Sequence, residues 1–315
     1  MKRKIRFIAG IAVSLICMLS AACFAEKPNE IIRSGEWEYV RNADGTVTIT
    51  GWSGEEKKLS IPAELDAQQV AGIGESAFYA CTELTEVTIP DCVTEIGMNA
   101  FANCVSLKSV TIPDSVVEIA DYAFQFCDCL SDVTIPAFVT RIGKMAFCAC
   151  NGLEHVTLPD SLEGLGDWAF GTCDRLTGIE VSPGNDIYIV IDDALVEKKT
   201  MTLVYYPCGL AKGACVIPDG IVKIGDRAFM DCAGLTDITI PDSVVEIGNY
   251  AFSFCHGLTD VEIPSSVKKI GEFAFSDCSR LTSVTIPDSV AEIGEKAFYG
   301  NKNLTLDDQL LEKVE

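Results

Sequence analysis

Histidine and basic residues are scarce in this chain, and their scarcity excludes several classes of protein. Only two of the 315 residues are histidine, His155 and His256, and 46 acidic residues outnumber 24 basic ones. The formal net charge of −22 at pH 7 repels phosphate backbones, so we expect no nucleic-acid partner. Each histidine stands where equivalent positions carry ordinary polar residues, which disfavours a role as a catalytic base.

The sequence also lacks the motifs that mark common active sites. There is no Gly-x-Ser-x-Gly, no His-Glu-x-x-His and no phosphate-binding glycine loop. The pairs Cys127/Cys129 and Cys148/Cys150 are closer in sequence than zinc ligands usually are. We therefore predict no catalytic residue, no cofactor and no metal site.

The N-terminus carries the one long apolar run. Basic residues within positions 2–6 precede the apolar run over 7–22, and small residues follow it, as in a secretory signal peptide. We predict a signal peptide over residues 1–25, cleaved near Ala25, and therefore export. A lipoprotein signal with a lipid on Cys23 is the alternative, and that anchor would then attach the protein to a membrane.

A unit of 23 residues is repeated along the rest of the chain. An Ala-Phe pair marks each unit, and cysteine follows three residues after the phenylalanine in every unit but the last, which has Asn301. The phenylalanines of these pairs are Phe78, Phe101, Phe124, Phe147, Phe170, Phe229, Phe252, Phe275 and Phe298. A fixed period of this length indicates a solenoid, in which stacked coils contact only their neighbours.

Each unit consists of two extended pieces and a corner. Residues 235–241 alternate apolar and polar side chains and end in proline, which predicts a strand with one face on a core. Residues 244–248 form a second short piece, where Gly248 allows a tight turn. The stretch 249–255 has room for one helical turn. We expect its alanine, phenylalanine and cysteine to point inward, so that the rings of successive coils stack.

The unit Leu-x-x-Val-x-Ile-Pro-x-Ser-Val-x-x-Ile-Gly-x-x-Ala-Phe-x-x-Cys resembles the BspA-type leucine-rich repeat. Residues 281–298 match it position by position, and the resemblance covers about residues 59–303. It implies an α/β repeat solenoid, a leucine-rich-repeat horseshoe with a parallel β-sheet, short second strands and short helical turns. It also implies a secreted or cell-surface bacterial protein without catalytic residues, several relatives being linked to adhesion.

The departures from the repeat predict the domain organisation. Residues 37–50 form two alternating stretches around Asp44-Gly45, which is typical of a hairpin. Residues near 181–214 interrupt the period with short apolar runs. The predicted order is a signal peptide over 1–25, an N-terminal β-hairpin cap over 26–58, a solenoid over 59–303 with a hairpin-like insertion at about 181–214, and a C-terminal cap over 304–315.

Fifteen cysteines in an exported protein would ordinarily indicate disulfides. Equivalent positions in stacked coils lie about 4.8 Å apart with parallel Cα–Cβ vectors, a poor geometry for that bond. We therefore interpret the cysteine column as small buried thiols. Cys208 and Cys215, in and after the insertion, are the best candidates for a disulfide pair.

Polar side chains that point outward from the predicted strands are the candidate binding face. They are Glu86, Thr88, Ser109, Thr111, Asp132, Thr134, His155, Thr157, Asp237, Thr239, Asp260, Glu262 and Thr285. Nine rungs would make a face ~38 Å long. Such a face suits a protein ligand, for example a host or matrix protein, or a glycan. Threonine is also common at exposed strand positions that bind no ligand, so the interpretation that this face has no binding role stays open.

These observations support a non-catalytic binding scaffold that mediates protein–protein contacts, including adhesion to host matrix or to other cells. A structural spacer of the cell envelope is the alternative. An envelope glycan hydrolase is a more distant one, because it requires two carboxylates held in a cleft.

Overall fold

The computed structural model describes residues 30–305. The predicted signal peptide, Cys23 and all but two residues of the predicted C-terminal cap lie outside the described residues. The described chain from Ile31 onward belongs to one compact unit, a parallel β-solenoid of about eleven turns. Within the described range no helix has the length and apolar character that a bilayer crossing needs.

The first described residues form a small antiparallel sheet that joins the solenoid. Its strands and those of the first coil are β1 (Ile32–Ser34), β2 (Trp37–Arg41), β3 (Val47–Trp52), β4 (Lys58–Ser60), β5 (Glu64–Leu65) and β6 (Gln68–Ile73). The turn at Asp44-Gly45 connects β2 to β3, and the Asp44 carboxylate accepts hydrogen bonds from the backbone N–H and hydroxyl of Thr46. Because β3 pairs in parallel with β6, the sheet closes the end of the stack.

Regular coils then follow one another up to the insertion. Their strands are β7 (Glu86–Thr88), β8 (Glu95–Ile96), β9 (Ser109–Thr111), β10 (Glu118–Ile119), β11 (Asp132–Val133), β12 (Arg141–Ile142), β13 (His155–Leu158), β14 (Gly164–Leu165) and β15 (Gly178–Val181). Each coil contributes one strand to a first sheet and one two-residue strand to a second sheet. Paired residues are 23 positions apart, as between Glu86 and Ser109 in the first sheet and Glu95 and Glu118 in the second.

The insertion is a three-stranded meander, after which regular coils resume. The strands are β16 (Tyr188–Ile191), β17 (Ala194–Glu197), β18 (Thr202–Tyr205), β19 (Gly213–Val216), β20 (Lys223–Ile224), β21 (Leu235–Thr239), β22 (Glu246–Ile247), β23 (Asp260–Glu262), β24 (Lys269–Ile270), β25 (Ser283–Thr285) and β26 (Glu292–Ile293). Both β16–β17 and β17–β18 are antiparallel, and β18 pairs in parallel with β20. The meander therefore takes the place of one coil in the second sheet.

The phenylalanine rings stack along the core, which confirms the prediction. Phe101, Phe124 and Phe147 are fully buried, and successive ring centroids are 5.2 Å apart. The row changes at the insertion, where Tyr205 tilts against Phe170 at 6.4 Å and Tyr206 stacks on Phe229 at 4.9 Å. The two tyrosines carry the row of rings across the interruption.

The predicted helical turns are not found among residues 30–305; β-turns occupy those corners. In each coil two residues four positions apart have positive φ, such as Tyr250 (57°) and Phe254 (62°). Left-handed residues at this spacing prevent an α-helix. The backbone N–H groups alternate between the two kinds of bond: Ser253 donates within its turn to Tyr250, whereas Phe252 donates to Ala274 of the next coil. Hydrogen bonds to the next coil therefore take the place of helical hydrogen bonds at each such corner.

Gly248 has a different role from the predicted tight turn. A Cβ at this position would lie 2.7 Å from the backbone nitrogen of Asp226 in the preceding coil. That separation is far below van der Waals contact, so the residue is glycine because the two coil backbones approach closely there.

The cysteine column consists mainly of buried thiols that donate hydrogen bonds. Cys127 Sγ lies 3.3 Å from the carbonyl oxygen of Phe101, one coil earlier, and Cys278 Sγ lies 3.1 Å from that of Phe252. In the last unit Asn301 Nδ2 donates to the carbonyl oxygen of Phe275 at 2.8 Å. Asparagine is therefore a substitute for the thiol donor.

One member of the column is oxidised, and the predicted disulfide partner is wrong. Cys208 pairs with Cys232, with a Cα–Cα distance of 4.8 Å, and Cys215 remains a buried free thiol. Cys232 belongs to a regular coil, but the coil before it has been replaced by the meander. Cys208 approaches along this irregular segment, so the geometry that disfavours bonds within the column does not apply.

Candidate functional site: the strand face

The outward side chains of the first sheet form the surface that we call the strand face. Every residue predicted for it is exposed except Ser109, which is half-buried. Alternation along each strand produces this arrangement, as in β7, where buried Val87 lies between exposed Glu86 and Thr88. The prediction that these side chains lie on one face of the first sheet therefore agrees with the geometry; whether they bind a ligand is a separate matter.

The pairing register adds residues that sequence reasoning missed. Lys58 pairs with Glu86 and Ser60 pairs with Thr88, so β4 extends the face by one rung. Val216 pairs with Thr239 and is 67% exposed, which adds an apolar side chain to the face. In most regular units an Ile-Pro dipeptide directly follows the last outward residue of this strand. The same dipeptide follows Ser60 and Val216, so the sequence contained a signal for both residues.

The strand face is divided, in contrast to the single long ladder expected. The first sheet has three separate parts: β4, β7, β9 and β11; then β13 with β15; then β19, β21, β23 and β25. The second gap falls at the insertion. A four-strand part spans ~14 Å, so each hydrogen-bonded ladder beneath the face is shorter than the ~38 Å expected for a single one.

Charge on the strand face is negative and only partly neutralised. Lys58 Nζ lies 2.6 Å from the carboxylate of Glu86, and this pair neutralises the first part of the face. In the last part, Asp237 and Asp260 are on adjacent rungs and Glu262 pairs with Thr285. No described basic side chain forms an ion pair with these three carboxylates.

The outward column of the second sheet is, by contrast, internally neutralised. Lys223 pairs with Glu246 at 3.0 Å, and Lys269 pairs with Glu292 at 3.6 Å. Arg141 forms an ion pair with Glu118 on the neighbouring strand. Three ion pairs therefore join adjacent strands of this sheet, so its surface has less unmet charge to offer a partner than the last part of the strand face has.

The two histidines lie apart from any assembled catalytic set. His155 is exposed on the strand face, where Gly178 leaves room for its imidazole because a Cβ there would collide with the ring. His256 Nδ1 is 3.4 Å from Ser279 Oγ at an exposed corner. No described carboxylate is hydrogen-bonded to the other ring nitrogen, so an orienting acid is missing. Residues 30–305 also contain no cluster of three potential metal ligands.

The buried thiols are poor nucleophiles. Burial raises the pKa of Cys104, Cys173 and Cys278 to about 12. Burial likewise raises the pKa of Cys127, Cys150 and Cys255 well above the ordinary value. Since the thiolate is the nucleophile, these side chains are structural.

We expect alkaline conditions to destabilise the protein through this column. Below about pH 8 the thiols are protonated in both states, whereas above the unfolded pKa of about 8.5 only the unfolded chain ionises. The free energy of unfolding should therefore fall by up to about 1.4 kcal/mol per pH unit per thiol until the folded pKa near 12 is passed. Urea unfolding between pH 8 and pH 10 measures this slope.

Single variants test whether the buried thiols cause this dependence of the free energy of unfolding on pH. Cys150→Ser keeps a donor for the carbonyl oxygen of Phe124, but serine does not ionise in this pH range. The free energy of unfolding of this variant should therefore fall less steeply with pH, by the contribution of one thiol. Cys129→Ser is the matched control, because Cys129 is exposed and contacts solvent in both states. Equal slopes in the two variants would contradict the assignment.

Comparison with known proteins places the fold in a class and then in a family. A stack of coils with a leucine-rich strand in each is a leucine-rich-repeat solenoid. The model of the BspA type leucine rich repeat region matches six copies, over residues 66–191 and 203–307, and the chain belongs to this family. The gap between the two matches coincides with part of the meander.

Solved structures of bacterial proteins are similar over most of the chain. A leucine rich cell surface protein from Faecalibacterium prausnitzii is 27% identical, with a TM-score of 0.52, and the match covers 93% of this chain and 99% of that one. The pneumococcal vaccine antigen PcpA is 21% identical, with a TM-score of 0.70, covering 89% and 81%. A leucine-rich repeat protein from Eubacterium ventriosum is 23% identical, with a TM-score of 0.58, covering 87% and 94%. The last two likenesses show the fold alone. The comparison with curated proteins found no significant match.

Proposed function

We propose that the protein is an exported or cell-surface scaffold that binds a partner protein through its strand face and performs no catalysis. The observation that carries this proposal is the unneutralised polar face on a repeat body whose coils pack around two hydrophobic clusters that meet at the meander. Regular coils bond their neighbours at the corners, and these bonds hold the last part of the face in one shape. A preformed surface loses little conformational freedom on binding.

The partner's chemistry follows from the charge of the last part of the face. Asp237, Asp260 and Glu262 are exposed carboxylates that form no ion pair with a described basic side chain. The net charge of the whole chain is also strongly negative. Complementary potentials accelerate association and suppress wrong partners, so we infer a partner with a basic surface.

The location proposed is the outside of a bacterial cell. The N-terminal segment has the features of an export signal, with cleavage near Ala25 or a lipid on Cys23 as the two alternatives. The relative from Faecalibacterium prausnitzii is described as a cell surface protein. Intact mass of the exported product distinguishes cleavage from acylation.

Charge reversal on the strand face tests the proposal. We expect the exported chain to bind at least one member of a panel of purified extracellular-matrix proteins. The double variant Asp237→Lys/Asp260→Lys should weaken that binding about a hundredfold or more, because each rung would then repel a basic partner. Surface-plasmon measurements of the dissociation constant at two salt concentrations check it.

A matched control separates the face from overall charge. The double variant Glu95→Lys/Glu163→Lys makes the same change in net charge at exposed residues in or next to the second sheet and should leave the dissociation constant unchanged. Equal weakening by both variants would indicate a non-specific charge effect. No binding across the panel would favour the alternative of a structural spacer.

A further inference from the structure

A cavity of about 530 Å³ lies where the regular stack is interrupted. Its walls come from the turn that follows β14, from the meander around β18, and from β20 and β22. The volume is within the range of cavities that bind small ligands. The strand face belongs to the first sheet, whereas this cavity is bounded by strands of the second sheet, so the two sites are separate.

The interruption leaves hydrogen-bond donors without acceptors at this cavity. In the preceding coil, the N–H groups of Met145 and Phe147 donate to the carbonyl oxygens of Asp167 and Ala169. The equivalent N–H groups of Trp168 and Phe170, one coil later, have no such acceptor, because the next coil is replaced by the meander. Both residues line the cavity.

Trp168 adds a further unmet donor. Its indole Nε1 is buried and has no hydrogen-bond partner. Buried polar groups without partners are uncommon in native proteins and call for an explanation such as a ligand or an ordered water. Because this nitrogen has almost no accessible surface, the backbone N–H groups of Trp168 and Phe170 are the donors that favour a ligand with oxygen acceptors.

Two ion pairs neutralise part of the charge that lines the cavity. Lys223 is bound to Glu246 at 3.0 Å, and Arg227 lies 3.7 Å from Asp167 and packs on the ring of Tyr250. Two further carboxylates of the lining form no ion pair, so the lining is negatively charged and repels an anionic ligand. A neutral ligand avoids that repulsion.

Acceptors and apolar surface complete the lining. Glu197 accepts a hydrogen bond from Thr200, and Asp226 accepts one from the backbone N–H of Asn249 at 3.0 Å. Each carboxylate has further lone pairs for a hydroxyl group. Val222 is 39% exposed and Val245 is 41% exposed, so apolar patches lie among the polar groups.

We propose that this cavity binds a short neutral saccharide segment. A sugar ring presents hydroxyl donors for the carboxylates, oxygen acceptors for the unmet N–H groups, and apolar ring faces for tryptophan and valine. Neither a simple cation nor an anion meets all three conditions. The scaffold thereby carries a glycan site at its insertion, distinct from the protein-binding strand face.

Calorimetric titration of the exported chain tests the site. The probes are maltotriose, cellotriose and tri-N-acetylchitotriose, with tetralysine and glucuronic acid as charged comparisons. We expect at least one neutral trisaccharide to saturate with a dissociation constant of about 1 mM or below. Val245→Asp and Glu197→Gln should each weaken it about tenfold or more, because they add a charge to the apolar patch or remove an ionised acceptor.

Two further measurements keep the result specific to the cavity. Glu83→Gln makes the acid-to-amide change at an exposed residue of an early coil and should leave the affinity unchanged. In Trp37→Phe/Trp52→Phe, Trp168 is the sole tryptophan, and its emission should shift on saturation with the same trisaccharide. The proposal is overturned if no neutral trisaccharide saturates, if the cavity variants bind unchanged, or if only the charged probes bind.

Discussion

Replacing Phe124 by alanine is expected to lower the free energy of unfolding by about 3–5 kcal/mol. The ring is fully buried and stacks between Phe101 and Phe147, with both centroid distances at 5.2 Å. In a stack the stability is a sum over coils and their interfaces, so the cavity weakens two interfaces as well as its own coil. Urea unfolding monitored by circular dichroism measures the loss.

Phe126 offers the matched control two residues away. It is 44% exposed on the same corner, so Phe126→Ala removes the same atoms from a site that is nearly half open to solvent and outside the row of rings. We expect that variant to change the free energy of unfolding by less than about 1 kcal/mol. Similar losses in both variants would mean that the row of rings is not the stabilising element.

Removing the disulfide between Cys208 and Cys232 is expected to cost about 3 kcal/mol. The bond closes a loop with a sequence separation of 24, and the expected stabilisation follows from the chain entropy that this loop takes from the unfolded state. It also ties the end of the meander to the first regular coil after it. Cys208→Ser should show the loss in urea unfolding under oxidising conditions.

The same experiment identifies the partner. Peptide mapping without reduction should recover the Cys208 peptide joined to that of Cys232, and reduction should remove most of the stability difference between wild type and Cys208→Ser. Cys129→Ser, a change at an exposed thiol, should be neutral. A Cys208–Cys215 peptide would contradict this structure.

The repeat made several features of the core predictable. Its period requires residues 23 positions apart to occupy equivalent places, so the burial of Phe124 in one coil implies that of Phe147 in the next. The same reasoning located the buried thiols and the outward columns, since alternation along a strand determines which side chain points out.

The insertion and the corners could not be predicted in this way, because the insertion has no sequence period and the corner geometry depends on hydrogen bonds between coils. The pairing of Cys208 with Cys232 depends on where an irregular segment passes a regular coil. The β-turn corners depend on bonds such as that from Phe252 to Ala274, which compete with helical bonds and are invisible in a single unit.

The sequence by itself determined the stack, its ring-filled core and the polar character of its outer columns, because each follows from periodic burial. Only the tertiary structure decided where the strand face is divided, which charges on it stay unpaired, and that a cavity opens beside Trp168. The cavity arises where one coil meets a neighbour of different shape, and the pairing of charges depends on which side chains adjacent coils bring together, so no single repeated unit encodes either.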